Sequence, residues 1–311
     1  MDLSVIIPCH NEGLLLKESV NSVMRQKWLP DQFEVLIIAD NINQETSLAI
    51  DDLQALYQVR LLQNQGEPGP AGSRNEGLQN ANGRWVAFLD ADDFWLEDAV
   101  LNRWQALLKY PDAQWVTGDF ACTGEESEVP LISWYSTRPP THRPYQRSFE
   151  EGSPWIIHSP MKAVLFGGMP HTNCVMVRRE VVLELGGFDT RLKQYQDVHL
   201  WIRLARIYPL VFVPELLAVH RNRSGSVTKR KKTPEAWGRK MFSMLIADEA
   251  FANHKSDLKL RLQQAITEDM WYCRHQMRWR EAIGLNLEAL KNSPGNTTLW
   301  RSLLGAVLRR P

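Results

Sequence analysis

The chain has 311 residues, 44% of them apolar and 23% charged, a composition that excludes a disordered or fibrous protein. Its 36 basic and 36 acidic residues cancel to a formal net charge of zero. No overall field therefore favours nucleic acid or a membrane, and such binding needs a local patch.

The first 120 residues alternate strand-like and helical patterns. "LSVIIP" (3–8) is a short apolar run, and after it Leu16, Val20, Val23 and Met24 fall at helical spacing. "EVLIIAD" (34–40) comes next, then a helical pattern through Leu48, Ile50, Leu53 and Leu56, then "VRLLQ" (59–63). The Gly- and Pro-rich "GEPGPAG" leads into a short helix, "SRNEGLQNA", and on to the strand "WVAFL" (85–89). This repetition predicts an α/β fold with a mostly parallel sheet flanked by helices. Ligands in such sheets bind beyond the carboxyl ends of the strands, where Pro8, Asp40 and Asp90 fall.

From Cys122 to Gly168 the periodicity fades into a long Pro-, Arg- and aromatic-rich stretch. Loops of that length within a domain tend to be functional. Order returns with "NCVMVRREVVLELGGFD", a helix "QDVHLWIRLARIY" and a strand "LVFVPE". Beyond "KRKK" (229–232), read as a solvated linker rather than a lipid patch, the pattern is helical only. About four helices fill 234–311, and the last three resemble one and a half tetratricopeptide-type hairpins. Fewer than three repeats do not stand alone, so this segment reads as a helical appendage.

The four cysteines are scattered without a CxxC pair, which suits reduced thiols better than a zinc site or a disulfide framework. The N-terminus runs straight into a strand without the pattern of a signal peptide, and no apolar run approaches the roughly 18 residues of a membrane span. These features read as cytoplasmic.

"FLDADD" places Asp90, Asp92 and Asp93 directly after a buried strand. Two carboxylates one residue apart can hold a hard divalent cation whose shell is completed by phosphates and water. Acidic residues also favour helix starts, so this stretch alone leaves both readings open. Its company points to a nucleotide-diphosphate site: Pro8, His10, Asn11 and Glu12 at the first strand end, Asp40 at the second, and Arg74 and Asn75 in a small-residue loop at a helix start.

Six motifs, in order, resemble the inverting family 2 glycosyltransferases of GT-A fold: "SVIIPCHNE", Asp40, "GPAGSRNEGL", "FLDADD", "GGFDTRLKQYQDVHLWIRLA" and "HRNRSGSVT". The resemblance covers roughly 1–230, with 234–311 as the helical C-terminal region. It implies that Pro8, His10, Asn11 and Glu12 line the nucleotide pocket, that Asp40 bonds the base, that Arg74 contacts the nucleotide and that Asn75 supports that loop. Asp90 would face the ribose or sugar, and Asp92 would ligate Mn²⁺ or Mg²⁺. Asp93 reads as a supporting residue or a helix start. Asp197 stands where such enzymes carry the catalytic base, although an N-cap is the alternative for an Asp there. Gln196 replaces the usual Glu beside it. Arg221 or Arg223 would neutralise the diphosphate.

The activity implied is metal-dependent inverting transfer from a nucleotide-sugar, best a UDP-sugar, to an acceptor hydroxyl in surface polysaccharide or glycolipid synthesis. The implied partners are that donor and a glycan or glycolipid acceptor, with no nucleic acid. Contact with the inner membrane face, and a protein partner or self-association through the C-terminal helices, also fit. Trp134, Tyr135, Trp155, His158 and His171 are candidates for the acceptor side, with core packing as the competing role. A non-catalytic nucleotide-sugar-binding or scaffolding protein on this fold is the rival reading, drawing on Gln196 and His10. A nucleotidyltransferase is disfavoured because no early Gly-rich phosphate loop with a lysine is present.

Overall fold

The computed structural model describes residues 1–28, 30–123, 132–135, 153–168, 170–222, 236–292, 294–295 and 297–308. Arg223, the "KRKK" run and most of the Pro-rich stretch, 136–152, lie outside the described residues. The chain divides into two compact units, Met1–Ser224 and Gly225–Pro311.

In the first unit, β1 (Leu3–Cys9), β2 (Phe33–Ala39), β3 (Val59–Gln63) and β4 (Trp85–Phe88) are joined through α1 (Leu14–Met24), α2 (Gln44–Leu56) and α3 (Pro70–Asn80). They pair in parallel in the order β3-β2-β1-β4, as the alternating pattern predicts. The apolar residues of β1, β2 and β4 are buried almost without a break, which is how a strand covered on both faces reads in sequence, whereas β3 at the edge buries only Val59.

Beyond β4 the sheet becomes mixed. β5 (Phe94–Trp95), α4 (Ala99–Lys109) and β6 (Trp115–Thr123) come first. β7 (Trp155–Ile157), α5 (Met161–Phe166), β8 (Met176–Arg178), α6 (Arg179–Glu184), α7 (Gln196–Ile207) and β9 (Leu210–Arg221) follow. β8 lies antiparallel between β4 and β6, while β6 pairs in parallel with β9. The mostly parallel expectation thus holds for the first half of the sheet and gives way in the second. The strand read at "LVFVPE" is longer than expected, and its final residues are His220 and Arg221.

α7 is fixed by one side chain above others. Trp201, fully buried, packs edge-on to Phe188 at 5.9 Å and lies 6.3 Å from Trp115 of β6. Phe188 in turn meets Phe88 of β4 edge-on at 5.2 Å. A buried aromatic of this size contributes about 3–5 kcal/mol. This cluster ties the helix that begins at Gln196 to the strand that ends just before Asp90.

The second unit holds α8 (Trp237–Ala247), α9 (Lys255–His275), α10 (Trp279–Asn292) and α11 (Thr297–Val307). α9 packs on α10, and α10 on α11, around Ile266, Met270, Ala282, Leu285, Ala289, Leu299 and Ala306. Arg239 of α8 bonds both Asp269 of α9, at 2.8 Å, and Glu288 of α10, at 2.9 Å. One guanidinium thereby joins three helices. No helix among the described residues is long and apolar enough to cross a membrane.

Candidate active site

Side-chain-to-backbone bonds stitch the carboxyl ends of β1, β2 and β3 together. The His10 ring bonds the Asp40 carbonyl through Nδ1. A carbonyl only accepts, so Nδ1 carries the proton, and Nε2 is left to accept from Asn11 Nδ2 at 2.9 Å. Asn11 Oδ1 accepts from the Asn43 N–H at 2.7 Å, and Glu12 accepts from the His10 N–H at 2.6 Å. Asp40 Oδ2 accepts from the Gly69 N–H at 2.6 Å. Gly69 can present that N–H because its φ of +110° is open to glycine and strained for other residues. Asn41, next to Asp40, also has positive φ, at +56°.

Asp90 is paired with the buried Arg74 at 2.6 Å. Burial raises the pKa of Asp90, but the Arg74 charge and hydrogen bond outweigh it and hold the carboxyl below its ordinary range. Arg74 Nε and Nη1 are buried without a partner among the described residues, so the guanidinium keeps hydrogen-bonding capacity beyond Asp90. Asn75, grouped above with the nucleotide contacts, is committed elsewhere. Its Nδ2 donates to the Phe188 carbonyl and its Oδ1 accepts from the Phe188 N–H, both at 2.8 Å. Both ends of its amide bond that backbone, so Asn75 supports the loop structure around Phe188.

Asp93 is completely buried and receives three donors. These are Asn173 Nδ2 at 2.6 Å, His220 Nδ1 at 3.0 Å and the Arg221 N–H at 2.8 Å. It is therefore a support of the turn; the next helix, α4, has Asp98 at its N-cap position. Burial works against a charged His220, yet the bond to Asp93 and its charge lift the His220 pKa above the ordinary value. Arg221 lies 4.6 Å over the Phe94 ring, donates to the Asp92 carbonyl at 3.1 Å and pairs with Glu18. Trp95 is buried and donates its indole N–H to the Asn173 carbonyl at 2.7 Å.

Asp197 lies in the first turn of α7, but the N-cap is Tyr195, with φ of +62°. The N-cap alternative for Asp197 thus fails. Its Oδ2 accepts from Thr172 Oγ1 and its Oδ1 from the Val198 N–H, each at 2.8 Å. Gln196 is buried with its Oε1 unpartnered, so a Glu here would bury a carboxylate, which the amide avoids. The His171 ring lies 4.2 Å from the Phe120 ring and 5.3 Å from the His220 ring. Burial, and then the His220 charge, lower the His171 pKa, against the raising effect of Asp93, Asp90 and Asp197.

The aromatic candidates for the acceptor side are largely packing. Trp134 stacks on Phe120 at 5.3 Å, Tyr135 meets Phe212 at 5.5 Å and Trp155 meets Phe212 at 4.9 Å. Two residues that the pattern does not single out matter more. Thr172 holds Asp197, and the fully buried Asn173 bonds the Asp90 N–H through Oδ1 as well as Asp93 through Nδ2. The legible signal is the polar "HTN" standing directly before an apolar strand.

A helix-flanked sheet with carboxylates gathered at its strand ends defines an α/β protein whose ligand crevice lies beyond those ends. Residues 4–181, more than half of the chain, match the model of glycosyl transferase family 2, and the chain belongs to that family. It is 27% identical over 230 residues to an uncharacterized protein of Mycobacterium tuberculosis, spanning 73% of this chain and 69% of that one. Over 107 residues it is 31% identical to the Escherichia coli UDP-Glc:alpha-D-GlcNAc-diphosphoundecaprenol beta-1,3-glucosyltransferase WfgD, 34% of this chain and 41% of the relative. Its fold is that of S. aureus TarS 1–349, solved with UDP-GlcNAc: the TM-score is 0.66 over 99% of this chain and 88% of that chain, at 14% identity.

Proposed function

We propose that the chain transfers a sugar from a UDP-sugar to a hydroxyl of a lipid-linked or surface glycan, with inversion at the anomeric carbon. The observation that supports this reading is the neighbouring pair Thr172 and Asn173, the first bonded to Asp197 and the second to both Asp90 and Asp93. The E. coli relative, which uses UDP-Glc and a diphosphoundecaprenol-linked acceptor, supports the choice of substrates. Family membership supports reading the site as that of a glycosyltransferase.

Asp197 is the base. It takes the proton of the acceptor hydroxyl as that oxygen attacks the anomeric carbon, and the bond to the diphosphate oxygen breaks with its electron pair leaving on UDP. Thr172 and the Val198 N–H hold the carboxylate in one orientation for that transfer. Asp40 and the loops beyond β1 and β2 take the base and ribose. Arg74, with its two unpartnered nitrogens, and Arg221 supply positive charge to the nucleotide.

Among the described residues no three His, Cys, Asp or Glu side chains converge as a metal cage. Asp92 stands just beyond the carboxyl end of β4, where one carboxylate completed by phosphate oxygens and water would hold Mg²⁺ or Mn²⁺. Such an ion, when bound, neutralises charge on the departing diphosphate.

The buried Gln196 keeps a non-catalytic, nucleotide-sugar-binding reading in view. A panel of nucleotide sugars tested for metal-dependent hydrolysis separates the two, since a pure binder releases no sugar. Calorimetry with UDP and Mn²⁺ on Asp92→Ala is expected to show loss of the metal-dependent affinity. Undiminished affinity there would overturn Asp92 as the ligand.

A further inference from the structure

The zero net charge of the chain conceals two opposite halves. Residues 1–224 carry 20 Lys and Arg against 28 Asp and Glu, whereas residues 225–311 carry 16 against 8. The catalytic unit is thus acidic by eight charges and the helical unit basic by eight. Such asymmetry between halves points to a charged partner for one of them.

The last helix supplies a matching surface. One side of α11 faces the core of the helical unit through Leu299 and Ala306, with Leu303 packed beside them. The other side is also apolar: Trp300, Leu304, Val307 and Leu308 are between 53% and 59% exposed. At 100° per residue these four fall on one arc about 100° wide. The Trp300 indole N–H is already bonded to the Pro294 carbonyl at 2.9 Å, so its ring can leave water at little polar cost. The exposed Arg301 flanks this arc, and residues 297–311 hold three arginines and no acidic residue.

We propose that α11 is a docking surface for an anionic lipid bilayer, its apolar arc entering the headgroup region while the arginines meet the lipid charge. A second copy of the chain fits less well. Four half-exposed side chains on three helical turns fall well short of the roughly 800 Å² per partner of a stable interface, and two basic units repel. The same field repels the acidic catalytic unit from the bilayer, so only the helical unit is attracted. The proposal gains its purpose from the lipid-linked acceptor proposed above, but it concerns a separate surface and is tested without donor or acceptor.

The test is flotation of the full chain with phosphatidylcholine vesicles, with and without phosphatidylglycerol. Binding is expected only with phosphatidylglycerol, weakening as salt rises, and Trp300→Ser with Leu304→Ser is expected to lower it about tenfold. Arg301→Glu should weaken it independently. Circular dichroism and nucleotide-sugar hydrolysis of these variants are expected to match the parent, because the residues are exposed and outside the active site. Absence of binding to anionic vesicles, or equal binding by the double variant, would overturn the proposal. So would a dimer in sedimentation velocity that the double substitution dissolves while vesicle binding persists, which would give the arc to a second copy.

Discussion

The two sides of the candidate active site are built differently. On the donor side, the turn after β4 is tied from several directions: Arg74 on Asp90, and Asn173, His220 and Arg221 on Asp93. On the base side, Asp197 is held by a threonine and its own helix backbone, and its place in space comes from the packing of Trp201. Carboxylates crowded at a strand end repel one another and lose hydration, so each needs a donor or a cation. A single carboxylate that accepts a proton needs only a fixed direction. The donor side should therefore fail by unfolding or by losing ligand, and the base side by losing turnover.

The sharpest break in that contrast is Asp197→Asn. It is expected to lower kcat by roughly 10²–10⁴-fold while leaving UDP affinity by calorimetry unchanged. Wild-type turnover would remove Asp197 from the role of base, and a matching loss of UDP affinity would erase the division between the two sides.

Asp93→Ala tests the opposite side. It strips the acceptor from the Asn173 amide, the His220 ring and the Arg221 N–H, and is expected to cost about 3–5 kcal/mol in urea unfolding. A cost below about 1 kcal/mol would mean that the network is ornamental.

A smaller effect is expected at Asp119 of β6. This buried carboxyl accepts from the Ser133 hydroxyl and the Phe120 N–H. Burial nevertheless lifts its pKa to about 6, from 3.8 for the free side chain. The folded protein therefore keeps a proton that the unfolded chain releases, and stability falls as pH rises from about 4 to about 6. Asp119→Asn is expected to flatten that slope and to be the more stable form at pH 7, by at most about 3 kcal/mol. Parallel curves for parent and variant across that window would contradict the assignment.

Much of the first half of the molecule is legible in its sequence, for a physical reason. β1, β2 and β4 are covered on both faces, so they appear as unbroken apolar runs, and the residues that follow them fall at the open edge where ligands bind. β6 escapes such reading because Thr117, Gly118 and Asp119 interrupt it, even though Thr117 and Asp119 are buried and its ladder with β9 shifts register there. β8 is three residues long, too short to show a period. The partner of Asn75 is not legible in the sequence, because Phe188 is 113 positions away. The charge of the two halves was present in the sequence throughout, but a total over the whole chain averages it to nothing.

Thr172 and Asn173 are neighbours on one short 3₁₀ turn, Thr172–Cys174. The first grips Asp197, and the second grips both Asp90 and Asp93. Their alpha carbons are about 3.8 Å apart across one rigid peptide link. That link acts as a gauge block between Asp197, the proposed base, and the turn proposed to face the leaving group. The proposed inverting displacement requires attack and departure along one line, and a spacer of fixed length would keep that line. Variation in specificity is then free to accumulate in the loops around the cleft, while the span between its two ends stays constant.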